Sequence, residues 1–487
     1  MIQGTASNAG KSLLTAGLCR LFTRRGLRVL PFKPQNMSNN AAITADGGEI
    51  GRAQALQAKA CMTEPVSDMN PVLLKPESDS GSQVVLQGHA IGTVGAAEYL
   101  SFKRTLMPYV MESYGRLRER ADLVLVEGAG SISEVNLRDG DISNMGFAVE
   151  ANVPVVLAAD IDRGGALAAI TGSWYLLPGD ERRLLRGYIF NKFRGDVDVL
   201  APAFEIIREH TCLPCLGVVK WFPAASVFPA EDSLNLADAT GRGGIDPRRK
   251  IKIYVPELSR ISNHDDFDPL AAEDDVELSY IKPGTAIPGD GDLVIIPGTK
   301  STIGDLDFLR AQGWDVDITA HIRRGGYVLG ICGGYQMMGM EISDPHAVEN
   351  PEPRTVPGLG LIDVVTVMEP RKTLRRFTAR TRLGDEVTGY EIHMGVTTGP
   401  ATATPMLLLD GVPEGAFGEN ISCAGCYIHG LFTGDSFRAR FLSVFRGGGH
   451  GTVHVRYEKR IEDALDELAS HIEKCVDVDG LAKIAGI

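Results

Sequence analysis

Nine residues near the start of the chain, Gly4 to Ser12 in GTASNAGKS, carry the groups a phosphate-binding loop needs in the order it needs them. Gly4 and Gly10 let the backbone turn so that N–H groups face phosphate oxygens, with Thr5 inside the turn. Lys11 brings a point charge to the outer phosphates. Ser12 offers a hydroxyl to Mg²⁺ and opens a helix whose N-terminus favours anions. The spacing, Gly-x5-Gly-Lys-Ser, is one residue longer than the common Gly-x4 form. A second set lies at 326–339, GYVLGICGGYQMMG, where an apolar run meets Cys332, two glycines and a helical pattern. That is the shape of a nucleophile elbow with cysteine in place of serine. The helix start behind Cys332 favours thiolate. A thiol nucleophile needs a base. His429 in CYIHGLF (426–432), at the end of a short apolar strand, is the first choice; His393 in YEIHMG (390–395) is a substrate-side or structural alternative. PGTKST (297–302) can supply oxyanion-hole N–H groups.

Further polar residues suit a nucleotide and a metal. Lys33 ends a strand in PFKPQNMS (31–38) and can meet a phosphate. Glu127 follows the apolar run of VLVEGAG (124–130), and Asp46 lies in TADGGEIGRAQ (44–54); with Ser12 they are the candidate Mg²⁺ ligands. Asn191 in FNKFRGD (190–196) is placed to hydrogen-bond a base. Asp160 and Asp162 in DIDRGG (160–165) are candidates for metal or substrate, against a plain surface loop.

Strands must position these groups. Apolar runs at 27–32, 122–130, 153–160 and 186–193 alternate with helical patterns at 12–26 and 98–120, which implies a parallel sheet covered on both faces. The candidate residues cluster at strand ends, where ligands bind in open α/β sheets. Only three residues precede Gly4, so the expectation is either a natural start further upstream or a short first strand. The polar, glycine-rich stretch 233–250 reads as a linker. A second α/β pattern begins at 250–257 and continues at 292–300 and 325–339. The segment 456–476 is one amphipathic helix with Ile461, Leu465, Leu468 and Ile472 on one face, a packing helix rather than a membrane anchor. The predicted architecture is α/β, two doubly wound domains: a nucleotide-binding domain over 1–232, a linker over 233–250, a flavodoxin-like domain over 251–450 and a helical tail over 451–487.

At 487 residues the chain exceeds one core. A net charge of −13 argues against a general nucleic-acid or anionic-membrane surface. The longest apolar runs are too short to span a bilayer, and no charged-then-apolar leader precedes the first motif, so a cytoplasmic enzyme is expected. Eight cysteines in this length do not suggest a disulfide framework. The Cys212/Cys215 and Cys423/Cys426 pairs lack zinc-ribbon spacing.

With QGTASNAGKS, PFKPQNMSNN, DGGEIGRAQ, VEGAGS, DIDRGG, NKFRGD, PGTKST, GICGGYQMMG and YEIHMG…YIHGLF in this order, the chain resembles the cobyric acid synthase family over essentially its full length. Its first half is similar to dethiobiotin synthetase-like ATPases and its second half to class I glutamine amidotransferases. The resemblance implies a glutamine- and ATP-dependent ligase acting on a corrinoid, adenosylcobyrinic acid a,c-diamide, at its b, d, e and g carboxylates. It assigns Cys332 as nucleophile and His429 as base. It implies a shielded route for ammonia and leaves homo-oligomerisation open. In typical class I glutaminases a glutamate follows the base by two residues. Here that position is Leu431, so the imidazole is expected to be oriented by something other than that acid, such as a backbone carbonyl, or by no acid at all. The rivals are a,c-diamide synthesis or amidation of another polycarboxylate, a ParA/MinD-type ATPase switch, and a catalytically dead binding protein, the last disfavoured because both motif sets are intact. The switch is disfavoured because residues 5–9 contain no lysine and because such proteins lack the Cys–His half.

Overall fold

The computed structural model describes residues 1–76, 81–229, 250–349, 352–447, 453 and 455–487. The linker expected over 233–250 lies, except for Lys250, outside the described residues. The chain divides into two compact units, Met1–Phe228 with Ile461–Ile487, and Pro229–Arg460.

The first unit is built on parallel strands. Ile2–Gly4, Val155–Asp160, Leu185–Phe193 and Cys215–Lys220 lie side by side in that order. Val29–Phe32 pairs in parallel with Leu123–Val126. A single bridge from Ile2 to Glu127 joins the two sets. The first strand is therefore only three residues long yet central, held on one edge by Val156–Ala158 and on the other by Glu127 and Gly128. The helical run predicted over 98–120 is broken. Ala96–Lys103 gives way to a tight turn, Arg104–Leu106, before Met107–Arg120. Pro108 explains the restart: it has no N–H to continue an earlier helix but suits a first turn. The C-terminal helix Tyr457–Glu473 buries Ile461, Leu465, Leu468 and Ile472, as its periodicity predicts. Part of it packs on the helix Lys11–Arg24 that follows the phosphate loop. There Gly17 permits close approach, since a Cβ would lie 2.2 Å from Ile472 Cδ1. Arg20 adds a buried guanidinium that meets Glu462 and Asp466.

The second unit has a six-stranded sheet in the order Val276–Ile281, Ile251–Pro256, Leu293–Ile296, Tyr327–Ile331, Cys423–Cys426, Ala416–Phe417, of which the first five run parallel. A second sheet, not anticipated from the sequence, contains a long hairpin, Val365–Arg380 with Glu386–Thr398. His393 consequently sits inside a 13-residue strand rather than at a strand end. Among the described residues, no helix is long and apolar enough to cross a membrane.

Candidate active sites

In the first unit, Gly10 adopts a left-handed conformation (φ 82°) that ends the loop and starts the helix at Lys11. A side chain there would strike Asn191, whose Nδ2 would lie 2.4 Å from an added Cβ. No side chain caps this helix N-terminus. Lys11 Nζ donates to the carbonyls of Ala6 (3.2 Å), Ser7 (3.1 Å) and Gly130 (2.7 Å), which fold the ammonium over the loop. Thr5 O accepts from Ser131 Oγ at 2.8 Å.

Glu127 is the hub beneath the loop. It is 1% exposed, and its Oε1 accepts from Ser12 Oγ (2.8 Å) and pairs with Lys33 Nζ (3.0 Å). Its Oε2 accepts from Gln57 Nε2 at 2.5 Å. Ser12, Lys33 and Glu127, distant in sequence, are thus brought together, while Gln57 was missed because a glutamine inside a helical pattern carries no chemical signal. Asp46 is not in this cluster: its carboxylate accepts from the Ser67 N–H and hydroxyl. Burial alone would raise the Asp46 pKa, but bonds from Thr44 and Ser67 hold it below the ordinary value. Asn191 braces the loop, donating from Nδ2 to Ala9 O at 2.9 Å. Asp160 pairs with Lys192, which also donates to Asn8 O, and Asp162 pairs with Arg194.

The donor set tests the fit of Mg·ATP. Among the described residues no group of three or more His, Cys, Asp or Glu side chains could hold a metal. The adjacent oxygens of Ser12 and Glu127 match the one or two protein ligands that Mg²⁺ takes beside phosphates and waters. The residues therefore fit such a group.

In the second unit, Cys332 follows the strand Tyr327–Ile331 with φ 52° and ψ −110°, a strained elbow for a non-glycine residue. Gly334 makes the turn possible; a Cβ there would lie 2.0 Å from Ile296 O. Cys332 N donates to Cys426 O at 2.8 Å, and its Sγ lies 3.5 Å from Ile392 O. His429 is 1% exposed and lies within electrostatic reach of the Cys332 sulfur. Its Nδ1 is 2.6 Å from Asp266 Oδ2, whose other oxygen accepts from Gly430 N at 2.7 Å. Asn263 Nδ2 is 3.4 Å from His429 Nε2. Burial would depress the imidazole, but the Asp266 carboxylate and the Cys332 sulfur outweigh it and raise the pKa from 6.5 to about 10. As expected, something other than the missing glutamate meets the imidazole; it is a carboxylate, not the backbone carbonyl offered as an example. Leu431, at the position of the missing glutamate, is 1% exposed in the core.

Of the segment 297–302, Lys300 N bonds Arg260 O, Ser301 N bonds Thr299 Oγ1, and Thr302 N bonds Glu349. The N–H of Thr299 lies against Gly333. His393 stacks on Tyr427 with ring centroids 3.8 Å apart, and its Nδ1 lies 2.8 Å from Gly395 O.

Residues 1–235 match the CobQ/CobB/MinD/ParA nucleotide binding domain, and residues 252–437 match the CobB/CobQ-like glutamine amidotransferase domain. A cobyric acid synthase from Bradyrhizobium diazoefficiens is 55% identical over 486 residues, covering 100% of this chain and 99% of that protein. The chain belongs to the cobyric acid synthase family. Relatives of the same name from Cereibacter sphaeroides and Rhizobium rhizogenes are 54% and 52% identical, each matched over 100% of this chain and 99% of its own length. Members of the cobyric acid synthase family are glutamine- and ATP-dependent ligases of cobalamin biosynthesis, and both halves that such a ligase needs are present here.

Proposed function

We propose that this chain amidates the b, d, e and g carboxylates of adenosylcobyrinic acid a,c-diamide, drawing nitrogen from glutamine and energy from ATP. The observation that carries the reading is the presence, in one chain, of a strained Cys332 whose sulfur acts on the buried His429, and of a phosphate loop closed over Glu127.

In the glutaminase site, the Cys332 thiol gives its proton to His429 Nε2 and the sulfur attacks the glutamine amide carbon. The N–H groups of Gly333 and Thr299 receive the developing oxyanion. The proton on His429 passes to the departing ammonia, leaving a thioester that water hydrolyses to glutamate and free thiol. In the nucleotide site, loop N–H groups and Lys11 hold the phosphates, and Lys33 faces the transferred charge. Ser12 and Glu127 would hold Mg²⁺. Mg²⁺, when bound, would neutralise charge on the phosphates. Asn191 sits beside the loop where a base can meet it. The acceptor carboxylate becomes an acyl phosphate, and ammonia displaces phosphate from it. The two domains of this reading are 1–232 and 251–450, in a cytoplasmic enzyme.

The test is incubation of cobyrinic acid a,c-diamide in its adenosylated form with ATP, Mg²⁺ and glutamine labelled with nitrogen-15 at the amide. Mass spectrometry should find four labelled amides. Label on the a and c positions of cobyrinic acid itself, with none added to the diamide, would assign a different corrinoid step.

A further inference from the structure

The glutamate that typically follows the base is replaced here by Leu431, so the site has had to find its acid elsewhere in the chain. We propose that Asp266, 163 residues before His429, is the positioning residue of the glutaminase site: it holds the imidazole so that Nε2 faces Cys332. This rests on the reading of Cys332 and His429 as nucleophile and base.

The geometry is specific. Asp266 is 4% exposed and both carboxylate oxygens are used within the same loop, Oδ2 at His429 Nδ1 (2.6 Å) and Oδ1 at Gly430 N (2.7 Å). One carboxylate therefore fixes both the ring and the backbone that carries it. Oδ2 requires a proton on Nδ1, which leaves Nε2 to take the thiol proton. The remaining freedom of the ring is removed by packing. Tyr390 stacks on it with centroids 5.3 Å apart and planes at 22°, and exchanges two backbone bonds with residue 429. Gly298 abuts its edge, where a Cβ would lie 2.9 Å from Cε1.

Asp266 is itself held by a built loop. Asn263 turns the chain with φ 51°. Ser262 N bonds Gly298 O, and Asp305 gathers Ser259 Oγ, Arg260 N and Thr299 Oγ1. The same buried carboxylate of Asp305 thus ties the loop bearing the acid to the segment bearing the Thr299 N–H. The chemistry balances without another reactant. The S–H bond of Cys332 breaks, an N–H bond forms at Nε2, and Asp266 stabilises the imidazolium without taking the proton. The proton then leaves with ammonia.

The experiment measures glutaminase kcat and KM, and ammonium-dependent synthesis, for wild type, D266N, D266E and C332A. D266N should lower glutaminase kcat by about 10²–10⁴-fold, the scale seen when a triad aspartate is made an amide, with KM for glutamine little changed. D266E should recover at least tenfold of that loss, and ammonium-dependent synthesis should persist in both. A D266N enzyme within threefold of wild type, or a D266E enzyme no better than D266N, overturns the proposal. C332A that still hydrolyses glutamine would instead overturn the underlying reading. Should D266N not fold, nitrogen-15 spectra of His429 in the wild-type protein decide: Nδ1 must stay protonated across the pH range of the folded protein, and an Nδ1 that loses its proton refutes the role.

Discussion

Glu127→Gln separates the structural and chemical duties of the hub beneath the phosphate loop. Glu127 and Lys33 are 1% and 5% exposed at the side chain and lie 3.0 Å apart. Removing one member of a buried ion pair typically costs about 3–5 kcal/mol, because the other charge stays desolvated. The lower end is expected, since Lys33 has other contacts. The amide also turns an NH₂ toward donors from Ser12, Gln57 or Lys33, where the carboxylate offered only acceptors. Urea unfolding followed by hydrogen exchange in peptides from 1–76 should show the loss confined to the first unit. K33M/E127Q should recover at least about 2 kcal/mol relative to E127Q alone, because both charges are then gone. Synthesis from glutamine or ammonium should be lost in both variants, while glutaminase activity survives. An E127Q protein as stable as wild type would refute the buried-pair argument. Retained synthesis would refute the assignment of Glu127 to the nucleotide site.

Gly334→Ala should misplace the elbow and destabilise the second unit by about 1–3 kcal/mol or more, since its Cβ would lie 2.0 Å from a backbone carbonyl; glutaminase rate and thermal unfolding would check this. Glu349 bonds Thr302, and burial raises its pKa from 4.5 to about 7. The folded state keeps a proton that the unfolded chain gives up, so the stability from this group is whole below pH 4.5 and lost as pH rises through about 7. Glu349→Gln should flatten that slope in denaturation midpoints across this range. Deleting 461–487 should expose the face of Lys11–Arg24 now met at Gly17 by Leu468 and Ile472, at about 1.5–3 kcal/mol for each apolar side chain whose burial is lost. Calorimetry should report a weakened first unit.

The phosphate loop and the cysteine elbow were legible because each is written in a dozen consecutive residues, where glycine placement fixes the backbone and the reactive group sits in the same turn. Lys33 and Glu127 were legible one step later, because charged residues directly after apolar strands must face the same sheet end. Asp266 was not. It lies in the stretch HDDFD, where three acids compete and no period marks one of them, and it meets His429 only through tertiary packing. Gln57 was hidden for the same reason. Asp46 looked like a ligand because an acid beside two glycines suits both a metal loop and a turn; the turn, closed by Ser67, is what the fold uses. The long hairpin escaped because exposed arginines occupy both odd and even positions, Arg375 and Arg376 side by side among them, which breaks the alternation of a strand.

The division of labour between the two units meets its most direct test in Cys332→Ala. With ATP and the corrinoid diamide, the variant should form no product from glutamine, yet should form the fully amidated product when ammonium is supplied, at a rate near that of wild type with ammonium. Failure of ammonium to restore synthesis in a folded variant, or continued use of glutamine without the thiol, would contradict the account.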